Sequence, residues 1–171
     1  MKNISTDKAV IIVIGVFVII FFGVIVVNAS KEGSTNQSET PAYSTTDDNR
    51  PVASVDNNFQ DLNTMKVSDE KTGTFTITNN GASALLLSDI SSSCGCTFGV
   101  ISINGTKSPE FGMHSNSNWQ GIVEPNNTAT VDVVYKPSIM PVKGSIDREV
   151  YITTNDPNNP LLTFTVRAFV E

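Results

Sequence analysis

Histidine, tryptophan and cysteine are scarce in this sequence of 171 residues, which contains one His, one Trp and two Cys. These counts exclude multi-histidine metal centres and disulfide frameworks with several bridges. Basic residues are also few, since 11 Lys and Arg against 17 Asp and Glu give a formal charge of −6. Binding to phosphates needs a basic face, so this balance argues against a nucleic-acid partner. The length corresponds to one domain, or to one domain with appendages.

Charged and hydrogen-bonding side chains are absent from the apolar run Ala9 to Val27. As a helix this run would span about 28 Å, close to the roughly 30 Å hydrocarbon core of a bilayer. Lys2 and Lys8 precede the run, so the positive-inside rule places residues 1–8 in the cytoplasm and the rest of the chain outside. We predict an uncleaved transmembrane signal-anchor helix over residues 9–28, with a single pass through the plasma membrane.

A cleaved signal peptide is the alternative, because Val27-Asn28-Ala29 fits a small-residue cleavage site before Ser30. The apolar run exceeds the roughly 7–15 residues of a typical signal-peptide core, and this length favours the anchor. In both cases the residues that follow are exported.

Apolar side chains are almost absent from residues 29–50, where Tyr43 is the one aromatic residue in a run of Ser, Thr, Asn and charged residues. Such a composition buries too little apolar surface to offset the entropy lost on ordering the chain. We therefore expect a disordered linker over residues 29–50, which separates the anchor from a folded domain over residues 51–171.

Helical periodicity is absent from residues 51–171, where polar and apolar residues alternate instead. The alternation is clearest in three segments, and shorter candidate strands lie between them: 74–78, 131–135 and 162–170, then 52–56, 84–90, 97–103 and 148–154. About seven short strands separated by Asn, Gly and Pro turns predict an all-β fold, an immunoglobulin-like β-sandwich. The core disulfide of antibody domains is excluded, because the two cysteines are only two positions apart.

Several motifs occur in a characteristic order in this domain: TNNG at 78–81, SCGCT at 93–97, VDVVYKP at 131–137 and TNDPNNP at 154–160. In this order the motifs resemble a bacterial envelope family known as domain of unknown function 1573, over roughly residues 55–171. The family itself resembles the Ig-like domains of major sperm protein. The resemblance implies an exported Ig-like sandwich and no established activity.

Cys94 and Cys96 are the residues of this domain that carry chemistry. They could be buried as small apolar residues, or joined in a strained, labile disulfide that closes a very small loop. They could also bind Cu(I) as thiolates, assisted by the thioether of Met113 and the imidazole of His114 if the 104–120 loop folds over them. Packing within the loop is the alternative for Met113 and His114, and a structural anchor is the role expected of Trp119.

Two functions of different class follow from these observations. The first is a membrane-tethered, extracytoplasmic Ig-like module that binds an envelope protein or a surface polymer through an edge strand or loops. This module has no catalytic activity and no cofactor. The alternative is a copper(I)-binding or redox-active thiol protein that uses Cys94 and Cys96. We adopt the first interpretation, because no arrangement typical of a catalytic site is recognisable in the sequence.

Overall fold

The computed structural model describes residues 43–115 and 117–171. Over these residues the chain is all-β, with two five-stranded sheets and one short 3-10 turn at Pro137–Ile139. The segments expected as cytoplasmic N-terminus (1–8), membrane anchor (9–28) and first part of the linker (29–42) lie outside the described residues. No helix within the described part is long and apolar enough to cross a bilayer.

Ten strands form the two sheets: β1 (Ala53–Val55), β2 (Phe59–Met65), β3 (Lys71–Asn79), β4 (Leu85–Ser92), β5 (Thr97–Ile103), β6 (Thr106–Lys107), β7 (Gly121–Val123), β8 (Thr128–Tyr135), β9 (Gly144–Thr154) and β10 (Leu161–Val170). The first sheet has the order β1-β3-β8-β5-β6 and the second has the order β2-β10-β9-β4-β7. The strands pair antiparallel, apart from β2, which lies parallel to β10. The neighbouring strands β1-β3-β8-β5 of the first sheet and β10-β9-β4 of the second match the strand order of immunoglobulin-like sandwiches.

Alternating burial confirms the sandwich that the sequence predicts. In β3 the side chains of Phe75 and Ile77 face the core, while Thr74 and Thr76 are exposed. The longest predicted strand behaves in the same way, because Phe164 and Val166 of β10 are buried and Thr163 and Thr165 are partly exposed. Since successive side chains of a strand point to opposite faces, each sheet contributes one apolar face to a shared core.

Two strands each contain a residue with a left-handed backbone, and their alternation is interrupted there. Asn63 in β2 has a φ of 58°, and Asp89 in β4 has a φ of 47°. The ladder between β10 and β2 shifts beside Asn63, and the ladder between β4 and β9 shifts beside Asp89. An extra residue in one strand is a β-bulge, which changes the face to which the following side chains point. Asn and Asp tolerate this backbone conformation better than other residues with a side chain.

The register of the strands gives the sandwich two distinct ends. The proximal end is where residue 51 enters the domain, beside the β3–β4, β7–β8 and β9–β10 connections at 80–84, 124–127 and 155–160. The distal end holds the β4–β5 connection at 93–96 and the β8–β9 connection at 136–143. The chain therefore enters the domain at the end opposite to the two cysteines.

A buried carboxylate, that of Asp156, joins the entering chain to the β9–β10 turn. Its side chain is fully buried and accepts hydrogen bonds from the backbone N–H of Ala53 (2.9 Å) and of Asn158 (3.0 Å) and from the side-chain amide of Asn159 (2.9 Å). Arg50 adds an ion pair at 3.4 Å. Arg50 falls within the segment expected as linker, so the ordered chain begins before the predicted boundary at residue 51.

Asn79 has a similar role at the end of β3. It is fully buried, and its amide nitrogen donates to the carbonyl oxygens of Ser83 and Val123, both at 2.8 Å. Its side-chain oxygen accepts from the N–H of Val52 and of Gly81. The Asn-Asn-Gly turn therefore does not connect two strands of one sheet. It holds a crossover from the first sheet to the second.

Replacing Asp156 with Ala should lower the free energy of unfolding by about 2–4 kcal/mol, because buried donors would lose their acceptor. Urea denaturation of the full-length chain, followed by the fluorescence of the single tryptophan, measures this change. Asp147→Ala is the matched control. The Asp147 side chain is 48% exposed in its pair with Arg167, so its loss should cost less than about 1 kcal/mol. Equal losses in the two variants would contradict the role assigned to Asp156.

The same carboxylate should make the stability of the domain depend on pH. Burial raises the pKa of Asp156, but hydrogen bonds from Asn159, Asn158 and Ala53, together with Arg50, outweigh it and leave the pKa below its usual value. A lowered pKa stabilises the fold above the unfolded pKa of about 3.9, and this contribution is lost as the pH falls through the folded pKa. Urea denaturation between pH 6 and 3 should show that the free energy of unfolding falls less steeply with decreasing pH in Asp156→Asn than in the wild type. Equal pH dependence of the free energy of unfolding in the two proteins would contradict this prediction.

Candidate functional site

Cys94 and Cys96 lie at the distal end, in the connection between β4 and β5. The structure joins their sulfur atoms in a disulfide across a Cα–Cα distance of 5.3 Å. Cys96 is fully buried and Cys94 is 9% exposed, so both belong to the core cluster. The lability predicted for this bond stays a prediction.

Backbone contacts fix the short Cys94–Cys96 ring on both sides. The carbonyl of Cys94 accepts hydrogen bonds from the Ser92 hydroxyl (2.9 Å) and from the N–H of Thr97 (3.2 Å). The carbonyl of Cys96 accepts from the N–H of Lys136 at 2.9 Å. The ring is therefore coupled directly to the β8–β9 connection, which starts at Lys136.

This β8–β9 connection, residues 136–143, is called the distal loop below. After the turn at Pro137–Ile139, it exposes three apolar side chains: Ile139 (50%), Met140 (51%) and Val142 (42%). The sulfur of Met140 lies against the ring, at 3.9 Å from the position that a Cβ on Gly95 would occupy. Apolar side chains on an exposed loop are typical of binding surfaces.

Lys136 anchors the base of the distal loop through its side chain. Its ammonium group pairs with Glu70 at 3.4 Å and with Glu110 at 3.6 Å, and lies 5.2 Å from the centre of the Phe98 ring. Its charge is thus balanced by neighbours within the domain. The exposed part of the distal loop is apolar apart from Ser138 and Lys143.

Two buried polar atoms near the distal end have no hydrogen-bond partner among the described residues. They are the phenolic oxygen of Tyr135 and the Nε of Arg148, whose guanidinium lies 5.5 Å from the centre of the Tyr135 ring. Tyr135 precedes the distal loop and pairs in register with Thr97. Unsatisfied buried groups are uncommon in folded proteins. These two atoms lie on the same end of the sandwich as the disulfide.

Met113 and His114, the other two ligands predicted for Cu(I), have different surroundings. They line a hollow of about 520 Å³ together with Asp89, Ser91, Ser115 and neighbouring residues, and neither cysteine is among its lining residues. Within residues 43–115 and 117–171, no three His, Cys, Asp or Glu side chains group closely enough to hold a metal ion. Cu(I) binds thiolates, so binding at Cys94 and Cys96 would require the disulfide to be reduced first.

The loop that carries Met113 and His114 is held at both ends. Phe111 forms a bridge to Gly99, and its ring packs against Trp119 with centroids 5.5 Å apart. Trp119 is partly buried against the core, in agreement with the anchoring role expected from the sequence.

The distal loop was not predicted from the sequence. Its signal is the segment SIMPVKG, in which Ile139, Met140 and Val142 are apolar but Pro141 interrupts a regular strand before β9 begins at Gly144. Apolar residues in a segment that is neither helix nor strand are expected to be exposed.

Residues 53–109, about a third of the chain, match the model of the family described as protein of unknown function (DUF1573). This match confirms the family resemblance predicted from the sequence. It includes SCGCT but ends before TNDPNNP, so it is shorter than the predicted resemblance over residues 55–171. No curated protein matches the sequence.

The fold is similar to that of several solved structures. A protein of unknown function from Porphyromonas gingivalis W83 is 18% identical with a TM-score of 0.54, over 78% of this chain and 51% of that one. This chain therefore corresponds to about half of that protein. The ASH/PapD-like domain 7 of human CEP192 (13% identity, TM-score 0.48) aligns over 82% of this chain and 97% of that one. The YadV chaperone (10% identity, TM-score 0.40) aligns over 70% of this chain and 51% of that one.

Reduction of Cys94–Cys96 should lower the free energy of unfolding by only about 1–2 kcal/mol, because a bond between residues two positions apart removes little entropy from the unfolded chain. Urea denaturation of the full-length chain with and without dithiothreitol measures the difference. Intact-mass spectrometry should show the oxidised form about two mass units lighter than the reduced form.

The control is the Cys94→Ala/Cys96→Ala variant, whose stability should not respond to dithiothreitol. Unfolding of the reduced wild type would contradict the prediction, because it would make the bond a principal source of stability. A native mass that does not change on reduction would show that the bond is absent.

Proposed function

We propose that this protein is a membrane-tethered, extracytoplasmic binding module of the bacterial envelope, which holds a partner protein at the distal end of its sandwich. The proposal includes no catalytic step and no cofactor. The single observation that carries it is the exposed apolar distal loop, with Ile139, Met140 and Val142 about half accessible to water.

The placement of the distal loop supports this proposal. The apolar run from Ala9 to Val27 and the polar segment after it have the composition of an anchor and a tether. The chain enters the domain at the proximal end, where hydrogen bonds to Asp156 and Asn79 hold residues 50–53. Attachment of the chain at the proximal end leaves the distal loop clear of the entering segment, so a second envelope protein could reach it.

Burial of the distal loop would supply useful binding energy. Full burial of an Ile, Met or Val side chain contributes roughly 1.5–3 kcal/mol, so removing the exposed half of each should contribute roughly 1 kcal/mol. Three such contributions correspond to about a hundredfold in affinity, before the cost of association. An apolar partner surface is required, because Lys136 is already paired with Glu70 and Glu110.

A protein fits this surface better than a lipid bilayer does. The chain carries a formal charge of −6, which opposes adhesion to an anionic membrane surface. Adjacent aliphatic side chains on a fixed loop instead resemble the small apolar centre of a protein–protein interface.

Thiol–disulfide exchange is a second candidate function. The observation that favours it is the Cys94–Cys96 disulfide beside the proposed binding loop. A dithiol of the bound partner would be oxidised to a disulfide while Cys94–Cys96 is reduced to two thiols. The burial of both sulfur atoms means that exchange would require a local opening of the ring.

Site-specific photo-crosslinking in cells tests the binding function. A photoreactive amino acid at position 140 of the full-length chain should give a covalent adduct with one protein in the membrane fraction. The same amino acid at position 161 is the matched control, because Leu161 is similarly exposed (57%) but lies at the proximal end. Ile139→Ser combined with Val142→Ser should reduce the adduct about thirtyfold, since roughly two side-chain contributions of about 1 kcal/mol each are lost.

Adducts of equal yield from positions 140 and 161, or no adduct from position 140, would contradict the proposal. The double serine variant should retain its free energy of unfolding within about 0.5 kcal/mol, because its substitutions are on the surface. An unfolded variant would show that the loop is part of the core rather than a binding surface. If Cys94→Ala/Cys96→Ala abolishes the oxidation of the partner's dithiol while the crosslink at position 140 persists, thiol exchange becomes the principal function.

A further inference from the structure

The hollow beside the bulge of β4 is a second feature that points to a ligand. It has a volume of about 520 Å³, within the roughly 300–1,000 Å³ of small-molecule sites. Its described lining is mostly polar: Asp89, Ser91, His114, Ser115, Ser117 and Asn118, with Ile90 and Met113 as the apolar members. Small-molecule pockets are usually lined by apolar side chains, so this lining favours a hydrophilic ligand.

The wall formed by β4 has an irregular backbone at this point. β7 pairs with β4 only over Leu85–Leu87, and the hollow lies beside the next residues of β4. Asp89 has its left-handed φ of 47° here, and its carboxylate is exposed at the hollow. A bulge at a sheet edge redirects a side chain and interrupts strand pairing. The edge is therefore poorly suited to adding a peptide strand.

The opposite wall supplies hydroxyl donors. The Ser115 hydroxyl oxygen accepts from the N–H of Gly112 at 2.7 Å, and that of Ser117 accepts from the N–H of Trp119 at 3.1 Å. Each hydroxyl then retains its own proton, which it can donate to a ligand. Among the described residues only Ser88 donates to the Asp89 carboxylate, at 3.4 Å, which leaves most of its lone pairs available.

The charges of the lining narrow the ligand class. No lysine or arginine is among the described lining residues, and the Asp89 carboxylate would repel an anion. A metal cation is also disfavoured, since the described part of the chain holds no group of three acidic, His or Cys side chains suited to a metal. A neutral ligand with many hydroxyl groups satisfies both walls, because each hydroxyl can donate to Asp89 and accept from serine.

We propose that this hollow binds a short neutral saccharide. Vicinal sugar hydroxyls donate to the Asp89 carboxylate and accept from Ser115 and Ser117, while a C–H face of the ring packs on Met113. The hollow shares no residue with the distal loop. Saccharide binding and partner-protein binding can therefore be tested independently, and the failure of one proposal leaves the other standing.

The fluorescence of Trp119 offers a direct test, because it is the one tryptophan of the chain and directly follows the lining residue Asn118. The full-length chain, in a detergent without a sugar headgroup, is titrated with neutral tetrasaccharides of glucose, mannose, galactose and N-acetylglucosamine. A tetramer of galacturonic acid and an extended octapeptide serve as the anionic and peptide comparators. We expect saturable binding of at least one neutral tetramer and none of the comparators.

Asp89→Asn should weaken saccharide binding about tenfold or more, because it replaces a charged acceptor with an amide. Asparagine tolerates the left-handed backbone at this position, so the variant should fold. Ser117→Ala should weaken binding severalfold through the lost donor. Glu124→Gln is the matched control: it removes the same charge from an exposed side chain outside the hollow and should leave the affinity unchanged.

Four results would overturn the proposal. They are no binding of any neutral tetramer below about 10 mM, preference for the galacturonate tetramer, preference for the octapeptide, and neutral binding that Asp89→Asn and Ser117→Ala leave unchanged. The third result would assign the β4 edge to a peptide, and the fourth would place the saccharide site elsewhere.

Discussion

The buried carboxylate of Asp156 is the constraint on which the organisation of this domain depends. It lies where water is excluded, so its charge is tolerated only because three N–H donors and Arg50 surround it. One of those donors, the N–H of Ala53, belongs to the first strand, whereas Asp156 itself lies more than a hundred positions later. A single side chain thus sets where the chain enters the sandwich and how the last two strands are connected.

The two ends of the domain differ in chemical character, and the buried carboxylate lies at the proximal end. The polar groups of the proximal end are engaged internally, because Asp156 and Asn79 direct their hydrogen bonds to backbone groups of the entering chain and the neighbouring loops. The distal end has the opposite character: its loop exposes Ile139, Met140 and Val142, and a short disulfide ring lies beside it. The two ends therefore differ in character, with internally hydrogen-bonded polar groups at the proximal end and exposed apolar side chains at the distal end.

Sequence periodicity predicted β1, β3–β5 and β8–β10, and it missed β2 and the short strands β6 and β7. β2 was missed because the left-handed Asn63 separates its buried residues, Leu62 and Met65, by three positions instead of two. Asp89 has the same effect in β4, where burial passes from Leu87 to Ile90, and the predicted strand ended near that point. A bulge is specified by pairing with a neighbouring strand, and a single sequence does not contain that information.

The same limit explains why the chemistry-bearing residues were expected to meet at one site although they lie at two. Cys94, Cys96, Met113 and His114 are the soft or imidazole donors that a sequence makes conspicuous, yet the structure separates the cysteine ring from the hollow lined by the other two. That hollow depends instead on an ordinary aspartate, because the bulge at Asp89 bends the sheet edge and exposes its carboxylate there. Met113 and His114 therefore line this hollow while the cysteines stay at the distal end, and the bulge at Asp89, which a single sequence does not specify, completes the lining.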